Sequence, residues 1–317
     1  MFIINHDITD PYFNIASEEY LLKNFSDDIF MLYQNDPSLI IGKHQNAFAE
    51  INHAFVRENN IPVVRRLSGG GTVFHDGGNL NFCFISNGKE GNLIDFKRFT
   101  QPILDVLLEL GIPVQRSGRN DLTIHDLKFS GNAEHVYKNR TLHHGTLLFS
   151  SKLENLRSAL KINSNLYHDK AVKSVPSKVT NIREYLNSAI TLEEFKGLII
   201  RHILSGKGNA VPHEFTQTDH HAIQQLVQEK YDTWEWNYGY SPRFKYKNQG
   251  TSGETMFEAE LEIEKGIIKQ AQIKANNKII LELSHLLKDV RYNEIEVSNV
   301  LKPFDKFISL DLIKILF

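Results

Sequence analysis

A chain of 317 residues, 41% of them hydrophobic, is long enough to bury a sizeable core and to divide into two domains of unequal size. Its net charge of −2, with no block of like charges, gives no electrostatic reason to expect nucleic acid, and no stretch approaches 18 uninterrupted apolar residues, so no membrane span is expected. The single cysteine, Cys83, excludes an intrachain disulfide and a cysteine-based zinc cluster; with an N-terminus that lacks a signal-peptide pattern, it leads us to expect a cytoplasmic protein.

The chain opens on a short strand, Phe2 to Asn5, after which Asp10-Pro11 reads as an N-cap with proline in the first helical position. Ile29 to Tyr33 and Leu39 to Gly42 read as buried strands, and Phe48 to Asn59 as a helix. Ile61 to Val64 then leads into Arg65-Arg66-Leu67-Ser68-Gly69-Gly70-Gly71-Thr72-Val73-Phe74-His75-Asp76-Gly77-Gly78-Asn79. Three glycines alone suit a flexible turn or a backbone cradle for an anion. The two arginines in front, and His75, Asp76 and Asn79 behind, favour the cradle, because Arg66 carries a fork suited to phosphate oxygens. Neither the Rossmann nor the P-loop spacing is met, and Ser68, Ser117 and Ser130 all lack the glycine two residues earlier that a serine-hydrolase elbow requires.

Apolar positions from 92 to 110 trace one face of a helix that Gly111 and Pro113 end. Ser117 to Ala133 reads as a hairpin turning at His125-Asp126, which brings Asn120-Asp121 and Lys128-Ser130 together on one ladder. Asp121 and Lys128 suit a surface ion pair or a ligand site with room left by the neighbouring Ser-Gly pairs. Arg140 to Phe149 is a further strand carrying His143 and His144, more suited to satisfied structural roles or a pocket wall than to zinc. The basic, poorly periodic stretch from Lys170 to Asn181 reads as a mobile loop, a plain surface loop by default, although basic loops of this kind commonly close over anions.

Thr191 to Glu194 is a capping box, a second helix begins near Asp219, and an aromatic run from Trp234 ends at Pro242. Beyond it, Phe257, Ala259, Leu261 and Ile263 alternate with Glu258, Glu260, Glu262 and Glu264 as a strand with one solvated acidic face; Lys265-Gly266 turns the chain back, and short helices are expected over 278–290, 292–301 and 305–317. A domain boundary is therefore expected between 242 and 243, giving a catalytic domain over 1–242 and an accessory domain over 243–317.

The candidate chemistry comprises backbone N–H groups, cations and one carboxylate that could hold a divalent metal; no nucleophile stands beside a base. That equipment suits a reaction governed by charge at phosphorus, such as adenylation of a carboxylic acid by ATP.

The run from Arg65 to Asn79, Ser-Gly-Arg-Asn-Asp-Leu with Lys-Phe-Ser-Gly-Asn-Ala, His-His-Gly-Thr-Leu-Leu and Ser-Lys-Val-Thr-Asn-Ile together resemble the lipoate–protein ligase A family over nearly the whole chain. The resemblance implies an α+β fold: a catalytic domain with a mixed or antiparallel sheet, shared with biotin–protein ligases, and a small α+β C-terminal domain. It implies that lipoate and ATP give lipoyl-AMP and pyrophosphate, and that the lipoyl group passes to a lysine of a carrier, the glycine-cleavage H protein or E2 lipoyl domains. It further implies ATP contacts at Arg66, Gly71, Thr72, Val73, Phe74, Lys128 and Lys178, and lipoate contacts at Gly70, His75, Asn79, Lys128 and His144. Lys128 is the expected catalytic residue and Asp121 the magnesium contact. The competing expectations are a lipoyltransferase that uses lipoyl-AMP or a lipoylated protein, and a non-catalytic protein that binds lipoyl domains. Biotin ligases share the fold but have a different glycine and lysine pattern.

Overall fold

The computed structural model describes residues 1–88, 93–160, 164–206, 209–303 and 306–317, with no side-chain description for 164 and 306–310; Asn92 and Asp305, the expected starts of two helices, lie outside the described residues. The chain forms two compact units, each discontinuous in sequence: one from Met1–Lys43, Asn60–Ala159 and Ser174–Thr233, the other from His44–Asn59, Leu160–Lys173 and Trp234–Phe317.

The first unit is built on a mixed sheet of eight strands, in the order Val211–Pro212, Phe2–Asn5, Ile29–Tyr33, Asn79–Asn87, Arg140–Leu148, Leu127–Tyr137, Asp121–Ile124, Val114–Ser117. The first three run parallel to one another and every later pairing is antiparallel. Alternation along the strands separates two faces. Phe30, Leu32, Phe82, Phe84 and Leu147 form one core with Phe99, Ile103, Phe195 and Ile199 of the helices Phe96–Glu109 and Leu192–Gly206. The other face is mixed: in register across it stand Met31, Cys83, His144 and Ala133, and beside them Tyr33, Asn81 and Thr146. A three-stranded sheet, Val63–Arg65, Ser38–Ile41 and Val73–His75, carries the arginines and the end of the glycine run.

Local sequence signals explain the helix ends. Asp10 accepts from the Tyr12 amide at 2.9 Å ahead of Pro11 in helix Pro11–Asn24, and Thr191 and Glu194 exchange the two bonds of a capping box. Two of the differences between expectation and structure trace to caps. The helix expected over 48–59 is two, Ala47–Glu50 and His53–Glu58, because the Asn52 side chain accepts from the Phe55 amide and starts a second helix after an extended Ile51. The helix expected over 92–110 starts at Phe96, where Asp95 accepts from the Arg98 amide.

The second unit is an antiparallel sheet, Tyr167–His168, Phe244–Ser252, Thr255–Glu264, Ile267–Ala275 and Lys278–Ile279, with helices Leu281–Leu286, Glu294–Leu301 and Lys306–Leu316. Asn276 and Asn277 adopt positive φ, so the expected helix over 278–290 gives way to a hairpin and a shorter helix. Its core joins Leu261, Ile263, Val297 and Leu301 to Phe48, whose ring lies 5.0 Å from that of Tyr292. The glutamate row faces water against basic residues of the neighbouring strands: Glu260 with Lys247 at 3.0 Å, Glu262 with Lys245 at 2.7 Å and Glu258 with Lys274 at 3.4 Å.

Candidate active site

Arg66 ends up buried, and its guanidinium is directed at the loop it precedes. Nε donates to Ser68 Oγ at 2.9 Å, one terminal nitrogen to the Ile40 carbonyl at 2.9 Å, and the other to the carbonyls of Gly69 and Gly71 at 2.7 and 2.8 Å. The fork anticipated for phosphate therefore grips carbonyl oxygens here and bends the three glycines around itself. Gly70 takes φ +90°, and a Cβ there would stand 3.0 Å from the Arg66 guanidinium. With the carbonyls of Gly69 and Gly71 turned inward, no protein acceptor for the amides of Gly69, Gly70 and Gly71 is found among the described residues. Such a set of unspent N–H groups is suited to an anion. Burial pushes Arg66 down to about 10, opposed by the Glu18 carboxylate, so it stays charged at neutral pH.

Lys128 and Asp121 meet across the expected hairpin, Nζ to Oδ1 at 2.9 Å, both about a quarter exposed. His125 and Asp126 take positive φ at its turn. A bulge explains how the pair forms: Leu122 stands opposite Ser130 but Thr123 opposite Lys128, leaving Phe129 as the extra residue. Phe129 goes into the core while Lys128 returns to the side of Asp121 and Gly131, where a Cβ on Gly131 would lie 3.1 Å from the lysine Nζ. The glycine loop reaches this strand too, since a Cβ on Gly70 would lie 4.0 Å from that of Ala133.

The stretch from 170 to 181 is irregular and is tied down at both sides of this site. The Ser174 hydroxyl accepts from the Thr72 amide at 2.9 Å, the Lys178 carbonyl accepts from the Lys128 amide at 2.9 Å, and the Thr180 amide donates back to the Lys128 carbonyl at 3.0 Å. The Lys178 side chain itself is exposed.

The remaining anticipated residues divide. Val73 and Phe74 pair with Ile40 and Leu39, with Phe74 buried in the core. His75 is buried; its Nδ1 meets Asn35 Nδ2 at 2.9 Å, Nε2 has no partner among the described residues, and desolvation beside Arg66 and His144 lowers it to about 3, so its ring is neutral. Asn79 donates to Asn81 Oδ1 at 2.9 Å and its own Oδ1 has no partner among the described residues. These orphaned polar atoms are suited to a bound polar group or water. His144 is held on both nitrogens, by Ser68 Oγ at 2.6 Å and Glu18 Oε2 at 2.7 Å. Burial pushes the Cys83 thiol well up, which disfavours the thiolate that a nucleophile needs.

Sequence reasoning missed Glu18, Gly42 and Ser174. Glu18 is one of two adjacent acids on an otherwise core-facing helix, which was a signal; Gly42 ends an apolar strand, where a Cβ would lie 2.1 Å from the Gly70 carbonyl oxygen. Ser174 carried none.

Residues 10–204 match the model of the lipoyl protein ligase A/B catalytic domain, and residues 241–316 that of the bacterial lipoate protein ligase C-terminus. The chain is 40% identical over 309 residues to the lipoate-protein ligase LplJ of Bacillus subtilis, covering 95% of this chain and 93% of that one. It is similar to P. falciparum LipL1 in complex with lipoate, at 25% identity and TM-score 0.65 over 99% of this chain and 98% of that one. A crystal structure of lipoate-protein ligase A bound with ATP, 23% identical with TM-score 0.65, covers 75% of this chain and 98% of its own and shares the fold.

Proposed function

We propose that this chain, which belongs to the lipoyl protein ligase A/B catalytic family and is a lipoate–protein ligase, activates free lipoate with ATP and passes the lipoyl group to a lysine of a carrier protein. The observation that carries the reading is the juxtaposition of two devices for negative charge: the unspent glycine amides shaped by Arg66, and Lys128 beside Gly131 on the neighbouring strand.

In the first step a lipoate carboxylate oxygen bonds to the α-phosphorus of ATP and the bond to the bridging oxygen breaks, releasing pyrophosphate. The amides of Gly69 to Gly71 receive phosphate oxygens, with Thr72, Val73 and Phe74 fixing the following strand under the nucleotide. Lys128 sits at the acyl–phosphate junction and stabilises charge there without forming a covalent bond. In the second step a carrier lysine, losing one proton, bonds to the acyl carbon and AMP leaves. Gly70, His75 and Asn79 line or support the lipoyl side, His144 backs the glycine loop through Ser68, and Lys178 serves the nucleotide from the strap that closes on Lys128.

Among the described residues no group of three or more His, Cys, Asp or Glu could hold a metal, so a cage made by the protein alone is not the arrangement. A magnesium ion carried mainly by phosphates and one carboxylate fits Asp121, whose neighbour Lys128 would exchange its partner for phosphate. Magnesium there would neutralise phosphate charge. The carriers in this reading are the H protein and E2 lipoyl domains, the compartment is the cytoplasm, and the functional division falls at 242/243. No helix among the described residues is long and apolar enough to cross a membrane.

The test is protein with ATP, magnesium and free lipoate, assayed for pyrophosphate, and for added mass on H protein and E2 lipoyl domains supplied separately. Release with modification of a carrier is the expected result. Transfer only from supplied lipoyl-AMP or a lipoylated donor would replace the ligase by a transferase.

A further inference from the structure

Four side chains from three distant stretches of the chain form one buried line: Glu18, His144, Ser68 and Arg66, joined at 2.7, 2.6 and 2.9 Å. Arg66 is 5% exposed, Glu18 3%, Ser68 1% and His144 8%. The order Ser-His-Glu resembles a hydrolytic triad, but the arginine at its head and the burial of all four side chains argue against that use. A guanidinium can only donate, so Ser68 Oγ accepts from Arg66 Nε and is left free to direct its own hydrogen to His144 Nε2. Nδ1 then carries the ring proton and donates to Glu18, whose second oxygen accepts from the Tyr33 hydroxyl at 3.0 Å. With one lone pair taken by a buried arginine and the residue only 1% exposed, Ser68 has no free approach to an acyl group.

We propose that Glu18, His144 and Ser68 are positioning residues for the nucleotide loop, holding Arg66 in the one rotamer from which it reaches the carbonyls of Gly69 and Gly71. The electrostatics agree with the geometry. A buried guanidinium needs a compensating anion, and the nearest buried carboxylate in the line is Glu18, two side chains away. The hydrogen-bonded relay between them separates the ion pair yet orients both ends. It also fixes the glycine carbonyls inward, which leaves the three amides outward. On this account His144 acts on ATP through the loop and makes no contact with lipoate.

The inference rests on the ATP-dependent reading above, and the test keeps the two apart. Glu18→Gln and Ser68→Ala, singly and together, are measured for pyrophosphate release with ATP and lipoate varied in turn, alongside hydrogen exchange at the amides of residues 69–72. Losing a hydrogen bond to a charged group predicts a rise of about tenfold or more in KM for ATP, with KM for lipoate unchanged. A fold defect would instead lower the active fraction and leave both KM values alone. Because Ser68→Ala cuts the line, adding Glu18→Gln to it should raise KM no further. Exchange at 69–72 should quicken in each variant. Additive effects, a rise in KM for lipoate alone, or unchanged exchange would overturn the relay. Quickened exchange in a protein whose wild type releases no pyrophosphate would overturn the ATP reading and leave the relay standing.

Discussion

Replacing Gly42 by alanine puts one methyl group against the backbone of the nucleotide loop. The added Cβ would lie 2.1 Å from the Gly70 oxygen and 3.0 Å from its carbonyl carbon. Ordinary contact needs about 3.5 Å, so the loop must retreat by about 1.4 Å. Gly42 does not itself need positive φ, and the effect is therefore steric rather than conformational. The loop has little freedom to yield, because Arg66 pins Gly69 and Gly71 on either side of the displaced carbonyl. Overpacking of this kind costs about 1–3 kcal/mol of stability, while a 1 Å misplacement of a binding element costs about 100-fold in catalysis. We expect kcat/KM for ATP to fall about 100-fold in a pyrophosphate-release assay on protein that still unfolds cooperatively. Gly77→Ala is the control, since a Cβ there meets nothing within 4 Å. A Gly42→Ala enzyme within twofold of wild type would refute the claim that the Gly70 carbonyl is held where it stands.

Lys128→Ala should abolish pyrophosphate release while shifting stability by less than about 1 kcal/mol, since its pair with Asp121 is partly exposed; a large loss of thermal stability with residual turnover would count against the role. Burial holds His75 at about 3, so it is neutral in the folded chain while the unfolded chain takes up a proton near pH 6.5. Its contribution to stability is complete above pH 6.5 and is lost as pH falls toward 3, at about 1.4 kcal/mol per pH unit below the unfolded value. Urea midpoints of His75→Gln should decline less steeply from pH 6.5 to 4 than those of wild type, and parallel declines would contradict this. The Cys83 thiol, buried and pushed up, should resist alkylation in the native protein and react after unfolding. Rapid native labelling with loss of transfer would revive a thioester route.

Much of this molecule was written locally. Strand Phe2–Asn5, the Asp10-Pro11 cap, the capping box at Thr191, the turn at His125-Asp126 and the alternating strand over Thr255–Glu264 depend on neighbours within a few residues, so sequence alone determined them. The motifs that carry the family resemblance are equally local, and the matched domains, the ligase class and the α+β architecture followed from them. Tertiary structure decided what those residues touch. An alternating strand would put Lys128 and Gly131 on opposite faces, and only the extra residue Phe129 returns them to one side. Arg66 looked free for phosphate because its acceptors are carbonyls, which sequence cannot display. Glu18 and His144 lie 126 positions apart and meet only because a helix crosses the face of the sheet where His144 emerges. The segment His44–Asn59 joins the second unit's core through Phe48, a contact no periodicity could announce. Periodicity and capping act over one or two turns of chain, whereas a site assembles from whichever side chains the sheet register brings to one face.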